Sequence, residues 1–325
     1  MNESNLTKVK KYGIKCAVCT VLEKVGIFKL KYSDLLIQRY FLSMPDSKRE
    51  EELKIWFKSE TGKELDLKCP KKFNEKIQWQ KLYDSIPLKT VLADKFRVRG
   101  WVEERIGEKY LIPLLGVWDK FEEIEFDKLP EEYVLKGAHG SGMNVIVRRD
   151  KPIDKKEAKK KFDFWMKSYY GIGPMQEWHY RDVPHRIIAE QFIENVGGIP
   201  SDYKFYCFNG KPTYVQLIKD RNDDPQMAFF NLDWSDAGFT NRHFGKMKKN
   251  EEKPKQLEKA IELATKLSEG FAFVRVDLYF VGDEDIYFGE MTFTPASGVS
   301  HWVPEEADEM LGKMITLPKE KYIFK

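Results

Sequence analysis

Hydrophobic positions recur at helical spacing through the first ninety residues and at strand spacing through most of the remainder. Leu35, Leu36, Tyr40 and Phe41 mark one helix face. Ser43-Met44-Pro45-Asp46-Ser47 opens a second helix that carries Ile55-Trp56-Phe57, and Phe73 to Trp79 begins a third. Thr90 to Lys95 leads into a helix bearing Arg97, Arg99 and Trp101 that ends near Gly107, and Tyr110 to Trp118 reads as extended chain. Beyond it, a strand–loop–strand unit from Tyr133 to Val147 precedes a helix around Glu157 to Tyr170, and Arg186 to Ile193 is a further strand. Tyr203–Phe208 and Pro212–Ile218 read as strands joined by Asn209-Gly210, a strong hairpin signal. A helix over about 253–269 feeds a last pair of strands, Phe273–Phe280 and Ile286–Thr292, linked by the polar turn Gly282-Asp283-Glu284-Asp285. Mixed helices and strands with several hairpins predict an α+β fold with antiparallel sheets.

The last hairpin carries candidate chemistry. Side chains alternate along a strand, so Arg275 shares a face with Asp277, and Glu290 shares one with Thr292. Antiparallel pairing then sets Asp277 beside Glu290. Two ionised carboxylates held a few ångströms apart repel each other unless a cation lies between them, which points to a divalent metal, with Mg²⁺ and a nucleotide the expected tenants. Alternating polar residues on a strand more often simply face water. The accompanying motif changes that balance. Tyr133 to Gly142 is a strand running into a glycine-rich loop, His139-Gly140-Ser141-Gly142, with Lys136 at its entrance. Glycines let backbone N–H groups approach phosphate oxygens, and the lysine adds a point charge. The lysine precedes the glycines, so this is not a Walker A loop, and the glycine spacing is not that of a dinucleotide fingerprint.

Composition narrows the class. A chain of 325 residues has room for a large core and two or three subdomains. One third of the residues are charged and 14% are aromatic, which is a globular composition. A net charge of +3 leaves no nucleic-acid footprint, and the Lys155–Lys161 cluster reads as a solvated helix face. Cys16, Cys19, Cys69 and Cys207 include one C-x-x-C, but no second pair completes a zinc site. They read as free thiols of a reducing compartment. The start of the chain has no cleavable signal pattern. The run from Ile14 to Phe28 is interrupted by Lys15, Glu23 and Lys24, and is too short and too charged to span a bilayer. With Lys8, Lys10 and Lys11 it forms a basic amphipathic stretch suited to loose association with a membrane surface.

Taken in order, these blocks resemble the ATP-grasp superfamily, and more closely the TupA-like ATP-grasp proteins of cell-surface polysaccharide (teichuronopeptide) biosynthesis. The resemblance is carried by Asn74-Glu75-Lys76-Ile77-Gln78-Trp79, by Asp94-Lys95 with Arg99, by Tyr110 to Trp118 and by Leu135-Lys136 with His139 to Gly142. It continues through Asp202 to Pro212, Arg275 to Tyr279 and Phe288 to Gly298. It spans roughly residues 70 to 315. It implies two α+β lobes gripping nucleotide, behind a mostly helical segment: residues 1–90 helical, 91–193 the first lobe with a glycine-rich lid, and 194–325 the second lobe with the metal site.

Residue by residue, Lys95 and Lys136 resemble the two lysines that contact phosphates, with His139 either touching the γ-phosphate or capping the loop. Gly140, Ser141 and Gly142 resemble the lid. Glu190, Gln191, Phe192 and Ile193 resemble the hinge that reads adenine and ribose. Asp202 is a second candidate for the ribose contact, and Lys204, two residues on along the same strand face, could point at the phosphates. Arg275 resembles the arginine that stabilises a transferring phosphoryl group, and Lys219 and Arg221 are candidates for substrate or γ-phosphate contact. Asp277 and Glu290 resemble the Mg²⁺ ligands. Thr292 stands where many relatives have asparagine, a better neutral ligand, which leaves the number of metal ions open. The helical segment and the loop Ser297 to Trp302 would recognise the acceptor; Trp302 could stack on a sugar or belong to the edge of the core.

The implied reaction is ATP- and Mg²⁺-dependent amide formation through an acyl phosphate. It would join the carboxylate of a uronic acid in a capsular or other surface polysaccharide to an amino acid or other amine, in the cytoplasm or at the inner face of the membrane. The alternatives are a phosphotransferase with a hydroxyl acceptor, a glycosyltransferase and a non-catalytic nucleotide-binding partner. Asp283-Glu284-Asp285 matches the Asp-x-Asp of a glycosyltransferase only superficially, because acids are common in hairpin turns.

Overall fold

The computed structural model describes residues 10–24, 26, 30–193, 201–219, 226–242, 245–246 and 251–324. The N-terminal third of these residues is mainly helical, with α1 (Ile14–Lys24), α2 (Tyr32–Leu42), α3 (Asp46–Thr61), α4 (Phe73–Tyr83), α5 (Pro87–Ala93) and α6 (Val98–Ile106). Pro45 precedes α3 in an extended conformation, and Gly62 ends it at φ 72°, where a residue without Cβ costs least. Phe41, Leu53, Phe57 and Trp79 from α2, α3 and α4 form one core with Trp178 and Phe324.

Sequence periodicity predicts a single helix following Thr90–Lys95. Instead Thr90 to Ala93 completes the short helix α5, and α6 starts afresh at Val98. The break lies at Asp94. Its Oδ1 accepts the backbone N–H of Phe96 at 2.8 Å and of Arg97 at 3.3 Å, offering those amides a partner outside the helical ladder.

Two sheets follow. The first comprises β1 (Leu114–Trp118), β2 (Tyr133–Gly137), β3 (Asn144–Val147) and β4 (Ile187–Gln191), in antiparallel order β1-β4-β2-β3. Helix α7 (Lys155–Trp165) starts where Asp154 caps the Lys156 and Glu157 amides, and buries Ala158 and Phe162 against this sheet. The second comprises β5 (Ser201–Phe208), β6 (Lys211–Lys219), β7 (Gln226–Asn231), β9 (Gly245–Lys246), β10 (Phe273–Val281) and β11 (Asp285–Thr292), in order β11-β10-β5-β6-β7-β9. Its pairings are antiparallel apart from β7 with β9. A two-stranded ribbon of β8 (Thr240–Asn241) and β12 (Trp302–Val303) stands beside it. The mixed α+β architecture with a helical N-terminal segment is the predicted one.

Period-two alternation gives the second sheet two faces. Phe205, Cys207, Val274, Val276 and Leu278 point to a core roofed by α8 (Leu257–Ser268). Tyr206, Phe208 and Phe273 point the other way, into a core shared with Phe73 and Ile77 of α4 and Leu311 of α9 (Ala307–Met314). Helix α6 also joins the α8 core, through Val98 and Val102. Residues 98–106 thus pack on the second sheet, although the sequence-level division groups them with the first lobe. Trp302 lies in the α4/α9 core, edge-on to Phe73, Phe229 and Phe239, and is 6% exposed. It is a packing residue and not a platform for a sugar ring. Among the described residues no helix is long and apolar enough to cross a membrane.

Candidate nucleotide and metal site

A cleft of about 450 Å³ lies between the two sheets. Lys136 and Glu190 enter it from the first sheet, and Asp202, Lys204, Arg275, Asp277 and Glu290 from the second. Ser141 and Gly142 of the glycine-rich loop, and Lys95 between α5 and α6, complete the polar lining. The acidic hairpin and the lysine–glycine turn therefore meet in one cavity.

Strand geometry sets the carboxylates. Asp277 and Glu290 are direct cross-strand partners, and a β-bulge follows immediately, because Leu278 pairs with Phe288. The extra residue is Gly289. A Cβ there would lie 3.0 Å from the Asp277 carbonyl oxygen and 3.1 Å from the Tyr279 ring, tighter than side chains ordinarily pack, so glycine suits the bulge.

The pair is held together by the protein's own cations. Arg275 donates from Nε to Asp277 Oδ1 at 2.6 Å and from Nη2 to Asp277 Oδ2 at 2.7 Å, a bidentate grip. The same Nη2 reaches Glu290 Oε1 at 3.1 Å and Thr292 Oγ1 at 3.0 Å. Lys204 bridges Asp202, at 2.8 Å, and Asp277. Thr292 Oγ1 donates to Glu290 Oε1 at 2.9 Å. Burial by itself would raise the Glu290 pKa. Arg275 foremost, then Lys204, Lys95 and the Thr292 hydroxyl, reverse that and bring it down to about 2. Burial likewise raises the Asp277 pKa, opposed by Arg275 and Lys204. Arg275 itself is raised by its carboxylate neighbours, against the desolvation that would lower it.

The two carboxylates differ in access. The Asp277 side chain is 2% exposed and turned onto Arg275 and Lys204, whereas that of Glu290 is 38% exposed to the cleft. Among the described residues no cluster of three His, Cys, Asp or Glu side chains could hold a metal. Two carboxylates and a hydroxyl fit Mg²⁺ of the kind that keeps waters and takes its other oxygens from phosphates.

The opposite wall is also charged. Lys136 Nζ lies 2.5 Å from Glu190 Oε2, and Arg99 lies 3.4 Å from Glu190 Oε1. Lys95 Nζ donates to the Gly140 carbonyl, and burial lowers its pKa while Glu290 raises it. Gly140 is needed for packing, since a Cβ would come within 2.7 Å of Tyr170 Cβ. His139 is 1% exposed. Its Nε2 bonds the Trp165 carbonyl at 2.9 Å, and its ring stacks on His185 with centroids 4.1 Å apart. Burial pushes its pKa down to about 4. It does not line the cleft, so of the two roles open to it the structure favours anchoring the loop over touching phosphate. Gln191, Phe192 and Ile193 lie outside the cleft lining as well, at the exposed end of β4. Arg221 and the Lys219 side chain fall outside the described residues.

The loop Ser297 to Trp302, expected to help recognise an acceptor, starts in a strained turn tied to α4. Ala296 and Ser297 adopt φ of 47° and 52°, values that non-glycine residues rarely hold, and Gly298 follows at 67°. Gln78 Nε2 donates to the Ser297 and Gly298 carbonyls, at 3.0 and 2.7 Å, and Lys81 Nζ donates to Ser297 O at 2.6 Å. Lys81 is fully buried, and desolvation lowers its pKa to about 7 against the opposing charge of Glu177. Nothing in the helical spacing around Lys81 marks it as buried. Leu111, Ile112, Tyr206, Gln216 and Met227 also line the cleft without having been expected there.

The sequence model of the family described as TupA-like ATPgrasp matches residues 75–316. No curated protein matches the chain. Among solved structures, D-alanine–D-alanine ligase from Bacillus anthracis complexed with ATP is similar at 18% identity, with 69% of this chain and 63% of that one covered and a TM-score of 0.41. N5-carboxyaminoimidazole synthetase from Staphylococcus aureus complexed with ADP is similar at 12% identity, over 72% of this chain and 54% of that one, with a TM-score of 0.39. The chain thus spans less than two thirds of either structure's length.

Proposed function

We propose that this chain, which belongs to the TupA-like ATP-grasp family, is an ATP- and Mg²⁺-dependent carboxylate–amine ligase. The observation that supports this most is the single cleft in which the Lys95, Lys136 and Gly140–Gly142 wall faces Asp277 and Glu290. When bound, Mg²⁺–ATP would supply a phosphoryl group that turns a carboxylate into an acyl phosphate with release of ADP; an amine then attacks the acyl carbon and phosphate leaves as the amide forms. Lys95 and Lys136 offset phosphate charge, and backbone N–H groups around Ser141 and Gly142 approach phosphate oxygens. Glu290, with Thr292 beside it and Asp277 as a second carboxylate, would hold the Mg²⁺. Arg275 holds a planar, permanently charged fork at the point where charge develops on the transferring group. Glu190 restrains Lys136 and Arg99 in the cleft wall, and the buried side of the cleft limits hydrolysis of an acyl phosphate.

The acceptor we infer is a uronic acid of a capsular or other surface polysaccharide, amidated by an amino acid or other amine in the cytoplasm. The exposed residues Ile14, Val18 and Val21, with Lys10, Lys15 and Lys24 around them, support contact of α1 with an anionic bilayer. Incubation with ATP, Mg²⁺, uronic acids and a panel of amines tests the reading. ADP, phosphate and an amide are expected. A phosphorylated alcohol would replace it with a phosphotransferase, and consumption of a nucleotide sugar without ADP release with a glycosyltransferase.

A further inference from the structure

The loop after the acidic hairpin lines the cleft through Pro295, Ala296 and Ser300. Only Phe293 and Thr294 separate Pro295 from Thr292, where β11 ends. Ala296, Ser297 and Gly298 are left-handed in succession, and such a run persists only where its surroundings hold it.

One face of α4 holds this run. Asn74, Gln78 and Lys81 follow one another at spacings of four and three, which puts them on the same side of the helix. All three are buried. Asn74 Nδ2 donates to the Ser300 carbonyl at 2.9 Å, and its Oδ1 accepts the Ser300 N–H at 3.1 Å. Gln78 donates to the Ser297 and Gly298 carbonyls, so closely that a Cβ on Gly298 would lie 2.5 Å from Gln78 Nε2. Lys81 Nζ donates to Ser297 O at 2.6 Å and to Gln78 Oε1 at 2.8 Å, with the Trp56 ring centroid 4.5 Å away. Glu177, the buried acid whose charge acts on Lys81, accepts the Thr294 hydroxyl. Lys81 and Glu177 therefore hold the loop at two points.

Burying a lysine is unfavourable, and an apolar residue would cover the loop without that penalty. The amine adds direction. It fixes the Ser297 carbonyl, and with it the turn at Ala296 that forms part of the cleft wall. Lys81 does not itself line the cleft.

We propose that Lys81 is a positioning residue for the reaction, fixing through Ser297 the wall that sets the acceptor carboxylate in line with the γ-phosphate. The inference rests on the ligase reading and deepens it.

Two variants test it. Lys81→Met keeps much of the side-chain volume and removes the donor. Lys81→Met/Glu177→Gln also removes the charge left without its counterpart, and decides alone where the single variant does not fold. ADP release is followed with a panel of uronic acids and amines, Mg²⁺–ATP affinity by calorimetry and the loop by amide hydrogen exchange. Both variants should bind Mg²⁺–ATP within about twofold of the wild type, with a KM for the uronic acid raised roughly tenfold or more. Amides of residues 296–300 should exchange at least about tenfold faster. A defect due only to an unpaired buried Glu177 disappears in the double variant, whereas one due to the lost tie to Ser297 persists. An unchanged KM or an unchanged exchange rate in the double variant, or an ATP affinity that falls as far as KM rises, overturns the proposal and leaves the ligase reading standing. Absence of ADP release by the wild type across the whole panel removes both.

Discussion

Arg275 occupies the position between two carboxylates where sequence reasoning places a metal ion. Two adjacent carboxylates do require a cation, and the same strand supplies one. This affects how the site is probed. Replacing Asp277 leaves Arg275 and Lys204 buried without their shared partner, so lost activity would be mixed with lost stability. Glu290 is the cleaner probe, because its side chain is 38% exposed and Arg275 keeps Asp277. Glu290→Gln should lower ATP turnover by at least about two orders of magnitude with an unchanged far-ultraviolet circular dichroism spectrum. A near-normal rate would remove Glu290 from the metal site. His139 supports a pH prediction. Burial holds its folded pKa at about 4, below the ordinary 6.5, so as pH falls the unfolded chain takes up the proton first. Its contribution is intact above pH 6.5 and is lost progressively down to about 4, a change of roughly 3 kcal/mol. His139→Gln keeps a donor for the Trp165 carbonyl, and its denaturant midpoint should fall less between pH 7 and 4.5 than that of the wild type.

At the scale of elements, close backbone approach shapes the glycine-rich loop and the acidic hairpin. Gly140→Ala drives a methyl into Tyr170 and should destabilise the protein by roughly 1–3 kcal/mol, read as a lowered urea midpoint. Since the Gly140 carbonyl also receives Lys95, nucleotide affinity should weaken as well. Helix α1 has an apolar stripe on its outer side, with Ile14 70% and Val18 51% exposed. If it meets an anionic bilayer, the protein should co-sediment with vesicles containing phosphatidylglycerol and not with pure phosphatidylcholine, and Val18→Glu should abolish the difference.

At the scale of the whole molecule, charges from both sheets meet at Lys95 in the cleft. Lys95 interacts with Glu290 of the second sheet and with Lys136 and Glu190 of the first. A ligand that engages both walls stabilises the folded form by mass action, by about 2.7 kcal/mol at a concentration one hundred times its Kd. ATP with Mg²⁺ should therefore raise Tm, and Glu290→Gln should reduce the magnesium-dependent part of that rise more than the part due to ATP alone. An equal rise with and without Mg²⁺ would argue against a metal held at Glu290.

Much of this was legible in the chain. The period-two runs, the Asn209-Gly210 turn and the acidic hairpin depend on short-range sterics, so strand pairing and the juxtaposition of Asp277 with Glu290 followed from local pattern. Other features depended on which surfaces met across long stretches of sequence. The same helical periodicity allows α6 to cover either sheet, and packing chose the second. Lys81 reads as a solvated lysine until Ser297, 216 positions away, is laid over it. Trp302 suits a sugar platform until Phe73, Phe229 and Phe239 enclose it. Sequence by itself determined the elements, their faces and the chemistry they carry, because backbone preference and side-chain alternation act over a few residues. Tertiary structure alone decided which charges are paired and which aromatics are buried, because burial and ion pairing depend on neighbours that chain order does not specify.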